Sequence, residues 1–182
     1  MRLIFIVFFV CISFDLYGKT GSVTGLEIPR FVSLKSNDVN LRVGPSTNYP
    51  IQLKYISQNL PVEIIDEFDV WRKARDHNGT IGWLHKSLIT GERFILPGYK
   101  NEKEINLYNR PNGKIIGIIK KNNILYQEIC IINWCKVSQN KIKVWLLKKN
   151  VLGVYDFEIY NAKFYQPIIN QYWTILNSKI FK

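Results

Sequence analysis

The chain has 182 residues, of which 47% are hydrophobic and 14% aromatic, and it carries a formal net charge of +11. Lysine, asparagine and isoleucine are used heavily throughout, and only 114–121 and 141–149 are locally basic, so the charge disfavours a specific nucleic-acid partner. Cys130 and Cys135 lack the further ligands a zinc site needs, since His77 and His85 both lie far upstream, and no metal or other cofactor is expected.

At the N-terminus, Arg2 precedes an apolar run over 3–14 that is broken only by Ser13, which predicts an export signal over residues 1–18. About a dozen apolar residues fall short of the roughly 20 that a membrane-spanning helix requires. An uncleaved anchor is the rival reading. Cys11 lies inside the apolar run behind Phe8, Phe9 and Val10, a poor setting for lipidation. Loss of 1–18 removes Arg2 and Asp15 together, so the +11 survives. The expected location is periplasmic or secreted. In an oxidising compartment the remaining pair, Cys130 and Cys135, predicts a disulfide across a hairpin, against the alternative of two reduced thiols.

Residues 19–30 mix Gly, Thr and Pro without periodicity and predict a linker. Val39, Leu41 and Val43 then alternate with Asn40 and Arg42, the pattern of a strand with one buried face. Gly44-Pro45-Ser46 ends that strand, and 49–55 is extended. A turn at Asn59-Leu60-Pro61 leads into a strand over 62–65, and 66–69 reads as a solvated acidic turn. Residues 71–75 and 81–84 form a hairpin around Asp76-His77-Asn78-Gly79, a strong turn sequence. One helical turn over 85–88 precedes a last short strand at Ile89.

The same order recurs with erosion. Ile105-Asn106-Leu107 matches Val39-Asn40-Leu41, Trp134 matches Trp71, and Trp145 matches Trp83. Gln139-Asn140-Lys141 replaces the glycine hairpin. Each copy spans about 55 to 60 residues, near the lower limit for a core that stands alone, so packing between copies or a disulfide has to help.

Asn40-Leu41-Arg42, Gly44-Pro45-Ser46, Tyr49, Trp71 and Gly82-Trp83 resemble the bacterial SH3 (SH3b) family. More broadly, 31–158 is similar to exported proteins with two tandem SH3-like units, whose second unit ends in the pattern seen here as Cys130, Trp134-Cys135, Trp145 and Gly153-Val154-Tyr155. Val144 departs from that pattern, which expects Gly before Trp145. The resemblance implies an all-β protein of two small barrels without assigned activity. The predicted organisation is therefore a signal over 1–18, a linker over 19–30, a first SH3-like domain over 31–96, a second over 101–158, and an extension over 159–182.

No catalytic constellation is expected. Neither histidine lies near a cysteine in sequence, and the carboxylates Asp66, Glu67 and Asp69 have no identifiable opposing wall. The resemblance points instead to Tyr49, Trp71 and Trp83 as partly exposed rings suited to an extended peptide or a sugar, with core packing of the tryptophans as the plain alternative. Arg42 and Arg72 are candidates for pairing with a ligand carboxylate. The predicted function is a non-catalytic envelope binding module for peptidoglycan or an envelope protein. An accessory subunit of a cell-wall hydrolase and a membrane-surface adaptor are the alternatives. In the extension, Ile168, Ile169, Tyr172, Trp173, Leu176 and Ile180 follow helical spacing. That spacing predicts a short helix, either covering a seam of the second barrel or making peripheral membrane contact.

Overall fold

A computed structural model describes residues 19–98 and 103–162. They form an all-β protein with two seven-stranded sheets of identical topology. The first contains β1 (Arg30–Leu34), β2 (Val39–Arg42), β3 (Ile51–Tyr55), β4 (Pro61–Phe68), β5 (Trp71–Arg75), β6 (Ile81–His85) and β7 (Ile89–Thr90), in the order β3-β2-β6-β5-β4-β1-β7. The second contains β8 (Phe94–Pro97), β9 (Glu104–Tyr108), β10 (Ile115–Lys120), β11 (Leu125–Cys130), β12 (Trp134–Gln139), β13 (Ile142–Leu147) and β14 (Val151–Leu152), in the corresponding order β10-β9-β13-β12-β11-β8-β14. A single 3-10 turn precedes the last strand of each, Lys86–Leu88 and Lys148–Asn150. These are the two SH3-like units that the tryptophan spacing and the resemblance implied.

The repeat extends to the irregularities. The β2–β3 pairing skips Gln52 and the β9–β10 pairing skips Ile116 at the equivalent place. Likewise β4–β5 skips Ile65 and β11–β12 skips Glu128. Such bulges bend a strand and raise its twist, which small barrels need in order to curl. Alternation then sorts the side chains: Val39, Leu41, Val62, Ile64, Ala74 and Leu84 fill the first core. Ile95, Ile105, Leu125, Val137, Val144 and Leu146 fill the second. Val144 uses the space that Gly82 leaves to Leu41 in the first unit, where a Cβ on Gly82 would lie 2.5 Å from Leu41 Cγ.

Three expectations change. Phe94–Pro97 pairs with β11 and β14, so 94–96 belongs with the second sheet and the second unit starts before 101. Residues 19–30 are an ordered arm: Thr20 bridges to Glu27, and Arg30 opens β1. The acidic stretch is no solvated turn up to Phe68, because β4 continues through it and carries Glu67 into the interior. The export signal over 1–18 and nearly all of the predicted C-terminal helix lie outside the described residues. Of the extension, Tyr160 forms an antiparallel bridge with Cys130.

Candidate functional site

The pairing registers of the first sheet place five side chains in one row across its outer face. Ile51 opposes Arg42, Arg42 opposes Trp83, Trp83 opposes Lys73, and Lys73 opposes Asp66. The row follows from parity, since inward Leu41, Ala74 and Leu84 force Arg42, Lys73 and Trp83 outward. Trp83 is partly exposed at its centre, with the Lys73 ammonium 5.9 Å from its ring centroid. On its other side Arg42 donates from Nη1 to the Tyr49 carbonyl at 2.7 Å, which ties the strand to the loop after it. The Tyr49 ring, 46% exposed, lies flat against Gly44, where a Cβ would come within 2.6 Å of ring atoms. Gly44 is therefore required for this approach of ring to backbone, and the sequence signal Gly-Pro-Ser marks it.

A second row runs beside the first: Phe68 opposes Trp71, and Trp71 opposes His85. Trp71 is buried, its ring meeting His85 edge-on at 5.4 Å. His85 Nδ1 accepts from the Ser87 N–H at 3.3 Å and so caps the 3-10 turn. The row supplies Phe68 as an exposed apolar rim. Trp71 is thus buried on the same outer face, beside the row that holds Tyr49, Trp83 and Arg42, and it stands outside the first core cluster.

Arg72 points the opposite way. Its guanidinium is buried, donates to the carbonyls of Asp69 and Trp71 at 2.8 and 2.9 Å, and lies 3.5 Å from Glu67 Oε1. Arg30 Nη2 reaches the same oxygen at 2.7 Å. The N-terminal arm completes the cage: the Val23 and Thr24 N–H groups donate to Glu67 Oε2, and Thr24 Oγ1 donates to Oε1. Burial alone would raise the Glu67 pKa. The hydrogen bonds from Thr24, Arg30 and Val23 outweigh it and hold the carboxyl down at about 2. Arg72 is thus engaged in structure and unavailable to a ligand. The residue that sequence reasoning missed is Lys73, which shares the parity of Trp71 and could have been found by counting along β5 from it; Asp66, read as part of a solvated turn, joins the row from β4 because the bulge at Ile65 brings it opposite Lys73.

A cleft of about 310 Å³ lies between the units, lined by Phe31, Glu63, Arg75, His77 and Tyr155 among others. Its polar contacts converge on Glu63, while His77 Nδ1 is buried there without a hydrogen-bond partner. The Tyr155 hydroxyl donates to Glu63 Oε1 at 2.9 Å, and Arg75 lies 3.5 Å from Glu63 Oε2. Burial and the Glu63 charge push the Tyr155 phenol well above its ordinary range. This cleft is a junction, and the open face is the one built around Trp83.

In the second sheet the equivalent row reads Ile115, Tyr108, Trp145, Lys136 and Ile129. Tyr108 there turns its ring edge-on to Trp134 at 4.8 Å, so the cation beside the tryptophan at Arg42 has no counterpart. Cys130 and Cys135 face each other across β11 and β12 as a disulfide, with Cα atoms 4.2 Å apart. The pair serves the hairpin.

No curated protein matches the chain. Residues 35–91, which span the Trp83 face from before β2 to the end of β7, match the family model of the bacterial SH3 domain, a binding-type domain and not a catalytic one.

Proposed function

We propose that the first unit is a binding module of the cell envelope whose Trp83 face takes a carboxylate-bearing saccharide–peptide ligand, as peptidoglycan presents. The observation that carries this reading is the row Arg42–Trp83–Lys73. A partly exposed indole offers a flat apolar surface to a sugar ring or an extended backbone, and the flanking guanidinium and ammonium suit carboxylates of a stem peptide. Tyr49 extends the apolar surface on the Arg42 side. The disulfide in the second unit and the bacterial SH3 match support a location outside the cytoplasm.

The test is an NMR titration of the protein with muropeptides. Shifts centred on Tyr49, Arg42, Lys73 and Trp83 are expected, with binding weakened at least tenfold by Trp83→Ala and by amidation of the muropeptide carboxylates. Saturating muropeptide without shifts on this face would overturn the ligand assignment and favour an envelope protein as partner. N-terminal sequencing of protein recovered from the envelope fraction tests export, with a new terminus near residue 19 expected.

A further inference from the structure

The two locally basic stretches of the sequence, 114–121 and 141–149, meet at one end of the second unit. Ile118 and Ile119 of β10, with Asn140 and Ile142 of the β12–β13 hairpin, border one recess of about 260 Å³ together with Leu107 and Leu125. β10 is the outermost strand of its sheet, and no other strand pairs with its free side among the described residues. The Lys121 N–H donates to the Lys103 carbonyl, so the alternation of an antiparallel pair turns the backbone groups of Ile118 to that free side. Ile116 is 56% exposed, Ile118 57% and Ile142 68%. Apolar side chains gathered on a surface in this way mark a place of contact.

The equivalent end of the first unit is more polar and is partly covered. Lys54 stands there where Ile118 stands, and Gln52 stands where Ile116 does, at the strand bulge. Leu96 and Ile124 of the second unit close in beside Leu53 and Lys54 and pack on the first core. In the second unit lysines frame the isoleucines instead. Lys120 and Lys121 follow Ile119, and Lys141 sits between Asn140 and Ile142. All three are exposed and enter no ion pair among the described residues, although Glu104 opposes Lys120 across the strand pair. Lys143 is held by Glu128 at 2.9 Å.

We propose that this end of the second unit docks on an anionic phospholipid surface, with Ile116, Ile118 and Ile142 entering the headgroup layer and Lys120, Lys121 and Lys141 meeting lipid phosphates. Both halves of the chemistry are complementary. Entry of the isoleucines removes apolar surface from water, while each lysine lays its methylenes along the apolar patch and keeps its ammonium among the phosphates. A headgroup layer also hydrates the free backbone groups of Ile118, which a hydrocarbon core would leave unmet. A second copy is disfavoured, because two such ends would set Lys120, Lys121 and Lys141 against their counterparts. An acidic protein would need a fixed surface fitted to side chains on two separate strands, whereas a fluid lipid layer conforms to them. The docking does not depend on the ligand of the Trp83 face, which lies on the first unit.

Full-length protein labelled with nitrogen-15 tests this by NMR in bicelles that carry a spin-labelled lipid, made of phosphatidylcholine alone or mixed with phosphatidylglycerol. The amide signals of 116–120 and 140–143 should be attenuated at least about threefold more in the anionic bicelles, and those of Arg42, Lys73 and Trp83 should not be. Ile118→Asp with Ile142→Asp should abolish the excess. Lys121→Glu with Lys141→Glu changes only exposed side chains and should abolish it too, and dispersed amide signals report that both barrels remain folded. The signals are specific to one face, so they decide the matter even where another segment holds the chain to the bicelle. Attenuation that ignores both double variants, or that falls on another face, would overturn the proposal. So would its absence, which leaves an acidic protein as the occupant, or broadening that grows with protein concentration in lipid-free buffer, meaning a second copy.

Discussion

Glu67 of the first unit and Cys130 of the second occupy the same position on equivalent strands. Each lies one residue beyond the partner of the lysine that recurs in both units, and each faces the residue that follows a recurring tryptophan, Arg72 after Trp71 and Cys135 after Trp134. A caged ion pair and a disulfide are thus alternative ways of fastening one hairpin at one point. The two differ in what disables them.

The ion pair depends on charge at both ends. Glu67→Gln leaves the buried Arg72 without its counter-charge and should destabilise the first unit by about 3 kcal/mol, read from urea unfolding followed through Trp71 and Trp83. A loss under about 1 kcal/mol would show that Arg30 and the backbone carbonyls satisfy Arg72 without the carboxylate.

Acid acts on the same group. The Glu67 pKa is lowered from 4.5 to about 2 in the folded protein, so its contribution is present in full above pH 4.5 and disappears as pH falls toward 2. Stability measured across that window should fall less steeply in Glu67→Gln than in the parent. Equal slopes would rule Glu67 out as the source.

The disulfide depends on redox state. Reduction removes a short covalent loop and should cost the second unit about 2 kcal/mol. The first unit's transition should stay in place, provided the two are separated by probes at Trp83 and Trp145.

Gln127 stands in the second core where Ile64 stands in the first, fully buried, with neither its side-chain oxygen nor its nitrogen hydrogen-bonded. Replacing it with leucine should stabilise the protein by about 1 to 3 kcal/mol, since it deletes two unsatisfied polar atoms at similar volume. Destabilisation by Gln127→Leu in a thermal melt would mean that the amide has a partner in solution.

The β12–β13 turn places Asn140 and Lys141 at φ of +50° and +71°. Asparagine tolerates that region and lysine does so poorly, so Lys141→Gly should raise stability by about 1 kcal/mol and is expected to leave the Trp83 face untouched. Calorimetry checks the first claim and the muropeptide titration the second.

Much of this was legible in the sequence because it is written in short-range signals. Alternation at Val39 and Leu41, the Asp76–Gly79 turn and the paired tryptophans each act over a few residues, and the structure puts strands and hairpins there. Val43, which the same alternation places on the buried face, lies past the end of β2 and is exposed. Tyr49, Arg42 and Trp83 come together because the register that pairs β2 with β6 is set by the same alternation. Arg72 shares the parity of inward Ala74, so plain alternation along β5 already turns it inward. Glu67 was misread for the opposite reason. The bulge at Ile65 shifts parity by one, so a charged residue that counts as outward lands inside. The arm that cages it comes from 43 to 45 residues upstream, where low periodicity gives no hint of order. Residues 94–96 were assigned to the wrong side of the boundary because a short apolar strand carries no mark of which sheet it joins.

Leu96 sits on a strand of the second sheet while its side chain belongs to the first core. The segment that inheritance recognises as one module, 35–91, therefore ends before the residue that completes its interior. Excised at that boundary, the module would expose a gap at one end and should report a weaker affinity than it has within the whole chain. Genetic fusions and minimal fragments of this protein need to carry the chain through Leu152 if they are to preserve the behaviour of the first unit.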